Sequence, residues 1–240
     1  NKFEKLLFKI NIYFASKFST TNVVDNLVLQ KSLSDVFNAN SVVIRYGGDH
    51  VLHKKSDTID KKFLNSFGLK ANNYFLVIAR AQKDSMFDLL IDSFKSIKTE
   101  IPLVIVSNWN VNSYGRKIKN KEFKNVIMID AIYDNEKLNQ IRRNCYVYIH
   151  SHSFCGTAPS LVEAMSFPLP IFCYDVKTNR ETTENKSLYF KNKSELIDLI
   201  KKSDTNILNK IIIDMKKLSI EKYRWNIIAN EYCNLIKNKK

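Results

Sequence analysis

The sequence predicts an α/β fold built on a doubly wound parallel sheet. Apolar runs alternate with amphipathic runs from residue 74 onward. The apolar runs are continuous, as in strands that are buried on both faces, and do not alternate with polar residues. The chain has 240 residues, of which 45% are hydrophobic and 26% charged, so it can bury a sizeable core. Together these observations favour a Rossmann-like sheet with helices on both faces.

The elements can be assigned in chain order. Residues 74–80 (YFLVIAR) are predicted to form a strand, and residues 86–97 a helix, because their apolar positions recur at helical spacing. Residues 114–121 and the stretch before SLYF read as polar segments, and the pattern from Ser194 onward is helical. The other predicted strands are PLVIVS, NVIMID, YVYIH, PIFCYD and SLYF, and the other predicted helices are NEKLNQIRRN and SLVEAM.

The first seventy residues do not follow this alternation. They predict only a strand, a helix and a second strand up to residue 46, which is too little to close a domain. We therefore expect residues 1–46 to be the tail of an N-terminal domain and 47–70 to connect two domains. The Rossmann-like domain would occupy 71–193 and the C-terminal helices 194–240. Because the chain begins at Asn1, we expect it to be a piece of a longer protein.

The charge of the chain limits the classes of partner that we expect, and its cysteines indicate the redox compartment. The net charge is +14, and the basic residues are spread along the chain apart from the final KNKK. A solvated surface is the first interpretation, and attraction to an anionic membrane face or substrate is the second. No nucleic-acid-binding motif accompanies the charge, so nucleic acid is not an expected partner. The four cysteines show no C-x-x-C spacing, and three sit in or beside apolar stretches, as reduced cysteines do, so we expect a reducing compartment.

The sequence lacks the motifs of several enzyme classes. The chain has five glycines, and neither G-x-G-x-x-G nor G-x-x-x-x-G-K follows a strand. This argues against dinucleotide oxidoreductases and P-loop enzymes. The absence of G-x-S-x-G argues against an α/β-hydrolase. His150, His152 and Cys155 offer only three ligands, so no metal site is expected.

Suitable binding residues follow three of the predicted strands. Ligands of open α/β sheets bind beyond the carboxyl ends of the strands. Arg80, with Lys83 three residues later, has the guanidinium fork that suits a phosphate, although a solvated loop cation is an equal reading. In the loop after YVYIH, Gly156 permits close backbone approach, Thr157 offers a hydroxyl, and the next helix offers free N–H groups. The third set is Asp175, Asn179, Arg180 and Glu181.

Glu163, in the first turns of the SLVEAM helix, has two readings. It could complement the helix dipole, or it could accept hydrogen bonds from a ribose diol. His152 is expected to face the ligand loop, whereas His150 is expected to be partly buried at its strand end.

Residues 155–190 resemble the nucleotide-sugar-binding segment of glycosyltransferase family 4. These retaining enzymes have two Rossmann-like domains, the GT-B architecture. Glu163, Ala164 and Met165 match the family's E-A-M, and Pro170, Glu181, Leu188 and Phe190 match later positions. VIARAQKDSMFDLLIDSF is similar to V-G-R-x-x-x-x-K-x-x-x-L-L-x-A, and YGGD to the N-G-V-D at the domain junction. The match spans residues 41–190. YGGDH, DAIYD, GTAPSLVEAM and NRETTEN further resemble the rhamnosyltransferase-like branch of bacterial polysaccharide synthesis.

The resemblance implies a set of donor-binding residues. Glu163 would hold the ribose hydroxyls, and Arg80 and Lys83 would hold the pyrophosphate; these three are the expected catalytic residues. The base would contact the loop after VIMID. The remaining expected binding residues are Ala131, Ile132, Tyr133, His152, Gly156, Thr157, Ala158 and Ser160.

Two positions depart from the family pattern. The first glutamate of the family, eight residues before the second, is Cys155 here, which leaves the donor sugar in question. The usual lysine after the arginine aligns with Ser85, and Lys83 is the expected substitute.

The resemblance implies a retaining hexosyltransferase that needs no metal or cofactor. It would move a hexose or deoxyhexose, by analogy rhamnose, from a nucleotide diphosphate donor to a growing bacterial surface glycan. This piece would hold the donor and transfer little or no sugar alone. The acceptor would be a glycan or lipid-linked glycan, and the protein would be cytoplasmic, in peripheral contact with the anionic inner face of the plasma membrane. The alternatives are a nucleotide-sugar epimerase of GT-B architecture and a non-catalytic basic module that binds polyanions.

Overall fold

A computed structural model describes residues 2–52 and 58–237. Its main feature is a six-stranded sheet in which every pair of neighbours is parallel. The strand order is β5-β4-β3-β6-β7-β8, and the chain reverses direction across the sheet between β3 and β6. This confirms the predicted doubly wound fold. The strands are β3 (Phe75–Ile78), β4 (Leu103–Ser107), β5 (Val126–Asp130), β6 (Val147–His150), β7 (Ile171–Tyr174) and β8 (Leu188–Phe190).

Helices cover both faces of this sheet. The central strands are buried along almost their whole length, which explains their continuous apolar runs: β4 and β6 have no exposed residue. The helices from residue 58 onward are α3 (Lys61–Ser66), α4 (Phe87–Ser96), α5 (Ser113–Lys119), α6 (Asn135–Arg143), α7 (Pro159–Met165), α8 (Lys177–Thr182), α9 (Lys193–Lys202), α10 (Thr205–Lys222) and α11 (Trp225–Lys237).

Three short helices lie where the sequence indicated polar or connecting segments. Helix α5 is capped by Asn112, whose side chain accepts a hydrogen bond from the backbone of Gly115, and it buries Ile118. Helix α3 begins after Asp60, which caps the backbone N–H of Phe63. Helix α8 packs against α2 of the N-terminal segment. A side-chain cap or tertiary packing supports these helices, which are too short for a clear hydrophobic period.

The N-terminal segment forms its own unit. Helix α1 (Lys2–Phe18) is followed by β1 (Asn22–Val24), α2 (Leu27–Phe37) and β2 (Ser41–Val43). Strands β1 and β2 pair in parallel as a separate two-stranded sheet. The predicted strand–helix–strand order is therefore present, but helix α1 before it was not predicted, and the assignment of this segment to a different domain stays a prediction.

Hydrogen bonds attach this segment to the main sheet domain. Asn26 is fully buried; its Oδ1 accepts from the backbone N–H of Val28, and its Nδ2 donates to the Thr178 carbonyl at 3.3 Å. Arg45 forms an ion pair of 2.6 Å with Glu181. Both contacts reach helix α8, so the segment has a defined position over one end of the sheet.

The last helix returns to the connection between the two units. The backbone N–H of Trp225 donates to the Asp49 carboxylate at 2.8 Å. The indole ring lies so close to Gly47 that a Cβ at this glycine would be 2.6 Å from it. The sequence predicted the C-terminal helices but not this return. Within 2–52 and 58–237, no helix combines the length and the apolar character that crossing a membrane requires.

Candidate active site

A cleft of about 1560 Å³ lies between the carboxyl ends of β3 to β6 and the N-terminal segment. It opens at the point where the strand order reverses, which is where doubly wound sheets bind their ligands. Sites for small molecules commonly occupy about 300–1,000 Å³, so this cleft has room for a nucleotide and a further group.

The cleft brings together most of the residues expected to bind a donor. Lys83 and Glu163 are not among the residues that line it, and the roles of all these residues stay predictions. Those that line the cleft are Arg80, Ala131, Ile132, Tyr133, His152, Gly156, Thr157, Ala158 and Ser160.

Arg80 stands on a loop whose backbone is held in place. Its carbonyl accepts a hydrogen bond of 2.7 Å from the Ser85 hydroxyl, and the next N–H, that of Ala81, donates to Asn108. The Arg80 side chain is exposed, and no other described residue hydrogen-bonds to its guanidinium. It is thus available for an anionic ligand. Ser85, which aligns with the family's lysine, is fully buried and acts on the loop itself, whereas Lys83 is exposed.

The loop after β6 is bonded to the Arg80 loop. The Ser151 hydroxyl donates to the Ser85 carbonyl at 2.6 Å, and the Ser153 N–H donates to the Asp84 carbonyl at 2.8 Å. These contacts form because β3 and β6 are neighbours in the sheet. Two of the strand ends singled out from the sequence therefore converge on one cleft.

His150 and His152 stack with their ring centroids 4.9 Å apart. Burial is the main cause that lowers the pKa of each imidazole, so both rings are neutral near pH 7. His150 is fully buried and not partly buried as expected, and His152 lines the cleft with its Nδ1 lacking a hydrogen-bond partner among the described residues. No cluster of three or more potential metal ligands occurs in the part of the chain that the structure describes.

The turn into α7 offers fewer hydrogen-bond donors to a ligand than the sequence suggested. The Thr157 hydroxyl is buried and donates to the Asp25 carbonyl at 2.6 Å, so its proton is not available to a ligand. At the start of α7, Pro159 has no N–H, and the N–H groups of Leu161 and Val162 bond to the Ala158 carbonyl. Fewer N–H groups are therefore free here than expected, and the half-buried backbone around Gly156 lines the cleft.

Glu163 takes part in a partly buried network of side chains and does not line the cleft. Its Oε2 lies 2.6 Å from Nη2 of Arg142, whose side chain is 1% exposed. Its Oε1 lies 3.4 Å from Nε2 of His50, and Nδ1 of His50 accepts a hydrogen bond of 3.0 Å from the Trp225 indole. Because of these partners, Glu163 does more than complement a helix dipole. Its side chain keeps 18% exposure, and each carboxylate oxygen retains a lone pair for a further donor.

The polar residues at the third predicted strand end, after β7, bond to other parts of the protein and have structural roles. Asp175 and Arg180 pair with each other, and Glu181 pairs with Arg45. Asn179 is fully buried and donates to the carbonyls of His152 and Tyr174. Asn179 thereby supports the loop after β6, and none of the four side chains lines the cleft, so the expectation of a third ligand-facing set was wrong.

Asp25 is a cleft residue that the sequence did not reveal. It follows β1 in the N-terminal segment and lines the cleft opposite Gly156. A lone aspartate after a short strand carries no signal in sequence, since only the folded chain brings it to the loop after β6.

Comparisons with known proteins identify the family. The model of the family "Glycosyl transferases group 1" matches residues 60–223. The chain is similar to the solved structure of sucrose-phosphate synthase from Thermosynechococcus elongatus, with TM-score 0.80 and 16% identity over 94% of this chain and 60% of that one. It is similar to Anabaena HepE in complex with UDP-glucose, with TM-score 0.82 and 15% identity over 96% and 67%.

A glycosyltransferase from Rickettsia africae ESF-5 is a third similar structure, with TM-score 0.80 and 12% identity over 95% of this chain and 66% of that one. The chain spans about 60–67% of the length of these three proteins. The likeness confirms the Rossmann-like fold of GT-B enzymes. Since the family model covers more than half of the sequence, the chain belongs to the group 1 glycosyl transferases.

Proposed function

We propose that this chain holds the donor of a hexosyltransferase that moves a sugar from a nucleoside diphosphate to a growing glycan. The observation that carries the proposal is the convergence of the Arg80 loop and the 151–160 loop on one cleft, where the guanidinium has no partner among the described residues. HepE, which shares the fold, has been solved with UDP-glucose and with UDP and glucose. This supports a nucleotide sugar as the substrate class.

The proposed chemistry follows from the charge that develops on the leaving group. When the sugar departs from the diphosphate, negative charge grows on the phosphate and the sugar becomes cation-like. Arg80 would stabilise that charge from the cleft, and exposed Lys83 would approach from its mouth. Ala131, Ile132 and Tyr133 would contact the base, and Glu163 the ribose hydroxyls. In this scheme the protein cations take the place of a metal.

The finer assignment rests on the sequence resemblance. It comprises family 4, the retaining outcome, rhamnose as the sugar and a bacterial surface glycan, free or lipid-linked, as the acceptor. The net charge of +14 supports peripheral contact with an anionic membrane on its cytoplasmic face. Because the chain spans about 60–67% of the similar proteins, we expect it to bind donor but to transfer little or no sugar alone.

A calorimetric screen of nucleoside diphosphates and their sugars tests this function. We expect the chain to bind at least one pair, and we expect Arg80→Ala to weaken that binding tenfold or more, since a charge-assisted hydrogen bond contributes about 1.5–3 kcal/mol. Arg116→Ala is the matched control, because Arg116 is exposed and lies outside the cleft.

Three outcomes would overturn the proposal. One is an absence of binding to every nucleotide tested. Another is salt-sensitive binding to polyanions that Arg80→Ala leaves unchanged, which is the behaviour of a basic module. The third is turnover of a nucleotide sugar without any acceptor, which would indicate an epimerase.

A further inference from the structure

Asp25 presents a carboxylate oxygen that has no hydrogen-bond partner in the described part of the chain. The residue lies between β1 and α2 and lines the cleft. Its Oδ1 is buried and makes no hydrogen bond with any described residue. An unsatisfied buried acceptor costs about 1–3 kcal/mol, so such an atom in a native structure calls for an explanation.

The backbone around Asp25 is firmly held. Its carbonyl accepts the hydroxyl proton of Thr157 at 2.6 Å. The next residue, Asn26, is fully buried and donates to the Thr178 carbonyl and the Thr182 hydroxyl. The carboxylate is therefore kept against the 151–160 loop by bonds that do not use its Oδ1.

Gly156 is the residue that faces this oxygen. A Cβ at Gly156 would lie 2.2 Å from Oδ1, so only glycine allows the carboxylate to sit there. Burial raises the pKa of Asp25, against the opposing effect of the backbone N–H groups of Thr157 and Asp25 itself. Both observations describe an acceptor that is largely withdrawn from water at one end of the cleft.

The chemistry of the cleft decides which ligand group this oxygen suits. A carboxylate repels phosphate oxygens, so the diphosphate belongs beside Arg80 and not beside Asp25. A hydroxyl group, in contrast, donates well to a carboxylate. The neutral imidazole of His152 lines the same cleft and also has a nitrogen, Nδ1, without a partner among the described residues. Two unpartnered polar atoms of this kind suit a ligand that carries several hydroxyls.

We propose that Asp25 binds the donor sugar by accepting a hydrogen bond from one of its hydroxyl groups. This inference rests on the proposed function and deepens it. It assigns part of sugar recognition to the N-terminal segment, while the six-stranded domain holds the nucleotide. The residue is then a specificity determinant, since a sugar without a hydroxyl at that place leaves the oxygen unsatisfied.

Asp25→Asn tests the assignment because it keeps the shape of the side chain and removes its charge. Calorimetry would compare UDP-glucose with UDP, and dTDP-rhamnose with dTDP, on the parent chain and the variant. We expect the affinity for the sugar-bearing nucleotide to fall about tenfold and the affinity for the bare diphosphate to stay within about twofold. Asp35→Asn, an exposed carboxylate on α2, is the matched control.

The two ideas can fail separately. If the parent chain binds neither these four nucleotides nor any other of the screen above, the proposed function itself is wrong and this assignment falls with it; if it binds another pair, that pair replaces them in the comparison. If the parent chain binds them and Asp25→Asn weakens both members of a pair equally, or neither, the sugar contact is overturned while the donor site stands. Thermal unfolding adds a second readout. A sugar-binding Asp25 predicts an unchanged or higher melting temperature in the variant, and a structural Asp25 predicts a lower one.

Discussion

Replacing Arg142 with alanine is expected to lower the free energy of unfolding by about 3–5 kcal/mol. The guanidinium is buried and lies 2.6 Å from Glu163 and 2.7 Å from Asn139. Its removal leaves the Glu163 carboxylate without its main partner, and loss of one member of a buried pair lowers stability by about this amount. Urea denaturation measures the change. Lys137→Ala, at an exposed position of the same helix, should change stability by no more than about 0.5 kcal/mol.

A double variant distinguishes the loss of a charge partner from the loss of packing. If the unpaired Glu163 carboxylate is the cause, Arg142→Met combined with Glu163→Leu should recover most of the stability that Arg142→Met alone loses. Apolar residues of similar volume replace buried ion pairs at little cost. A loss below about 1 kcal/mol for Arg142→Ala would contradict the importance of this ion pair.

Glu163→Gln is expected to weaken binding of a ribonucleoside diphosphate about tenfold or more. A glutamine keeps the size of the side chain and can still accept from Arg142, but the buried guanidinium loses its counter-charge, so we expect a lower melting temperature and binding is measured where the variant is folded. It accepts hydrogen bonds from ribose hydroxyls less strongly than a carboxylate does, and hydrogen bonds to charged groups contribute about 1.5–3 kcal/mol. Calorimetry with UDP measures the effect.

The comparison with 2′-deoxy-UDP makes this prediction specific. The deoxy compound has lost one of the two hydroxyls, so Glu163→Gln should weaken it less than UDP. Glu136→Gln, exposed on α6, should affect neither nucleotide. An equal loss for both nucleotides would mean that Glu163 acts through its network with Arg142 and His50 and does not touch the ribose.

The central part of the fold was predictable because its strands are buried on both faces. Each apolar run from residue 74 onward became a strand of one sheet, and parallel order then fixed where the strand ends lie. Since β3 and β6 are neighbours, Arg80 and the loop containing Gly156 had to meet at the same edge. This part of the candidate site follows from topology alone.

The remaining features depend on contacts between residues that are far apart in sequence. Asp25 meets Thr157 across 132 positions, and His50 meets Trp225 across 175. Neither pairing leaves a local pattern. The polar residues after β7 were misread for a related reason: a strand end rich in Asp175, Arg180 and Glu181 looks like a binding loop until each charge is seen to have a partner within the protein.

The most direct test of the donor site is the nucleotide affinity of Arg80→Ala combined with Glu163→Gln. If one bound donor contacts both residues, calorimetry on the folded double variant should show at least a tenfold loss of nucleoside diphosphate affinity, which is about 1.4 kcal/mol, although its melting temperature falls because the buried Arg142 loses its counter-charge. Unchanged affinity in this folded double variant would show that the nucleotide, wherever it binds, does not lie between these two side chains.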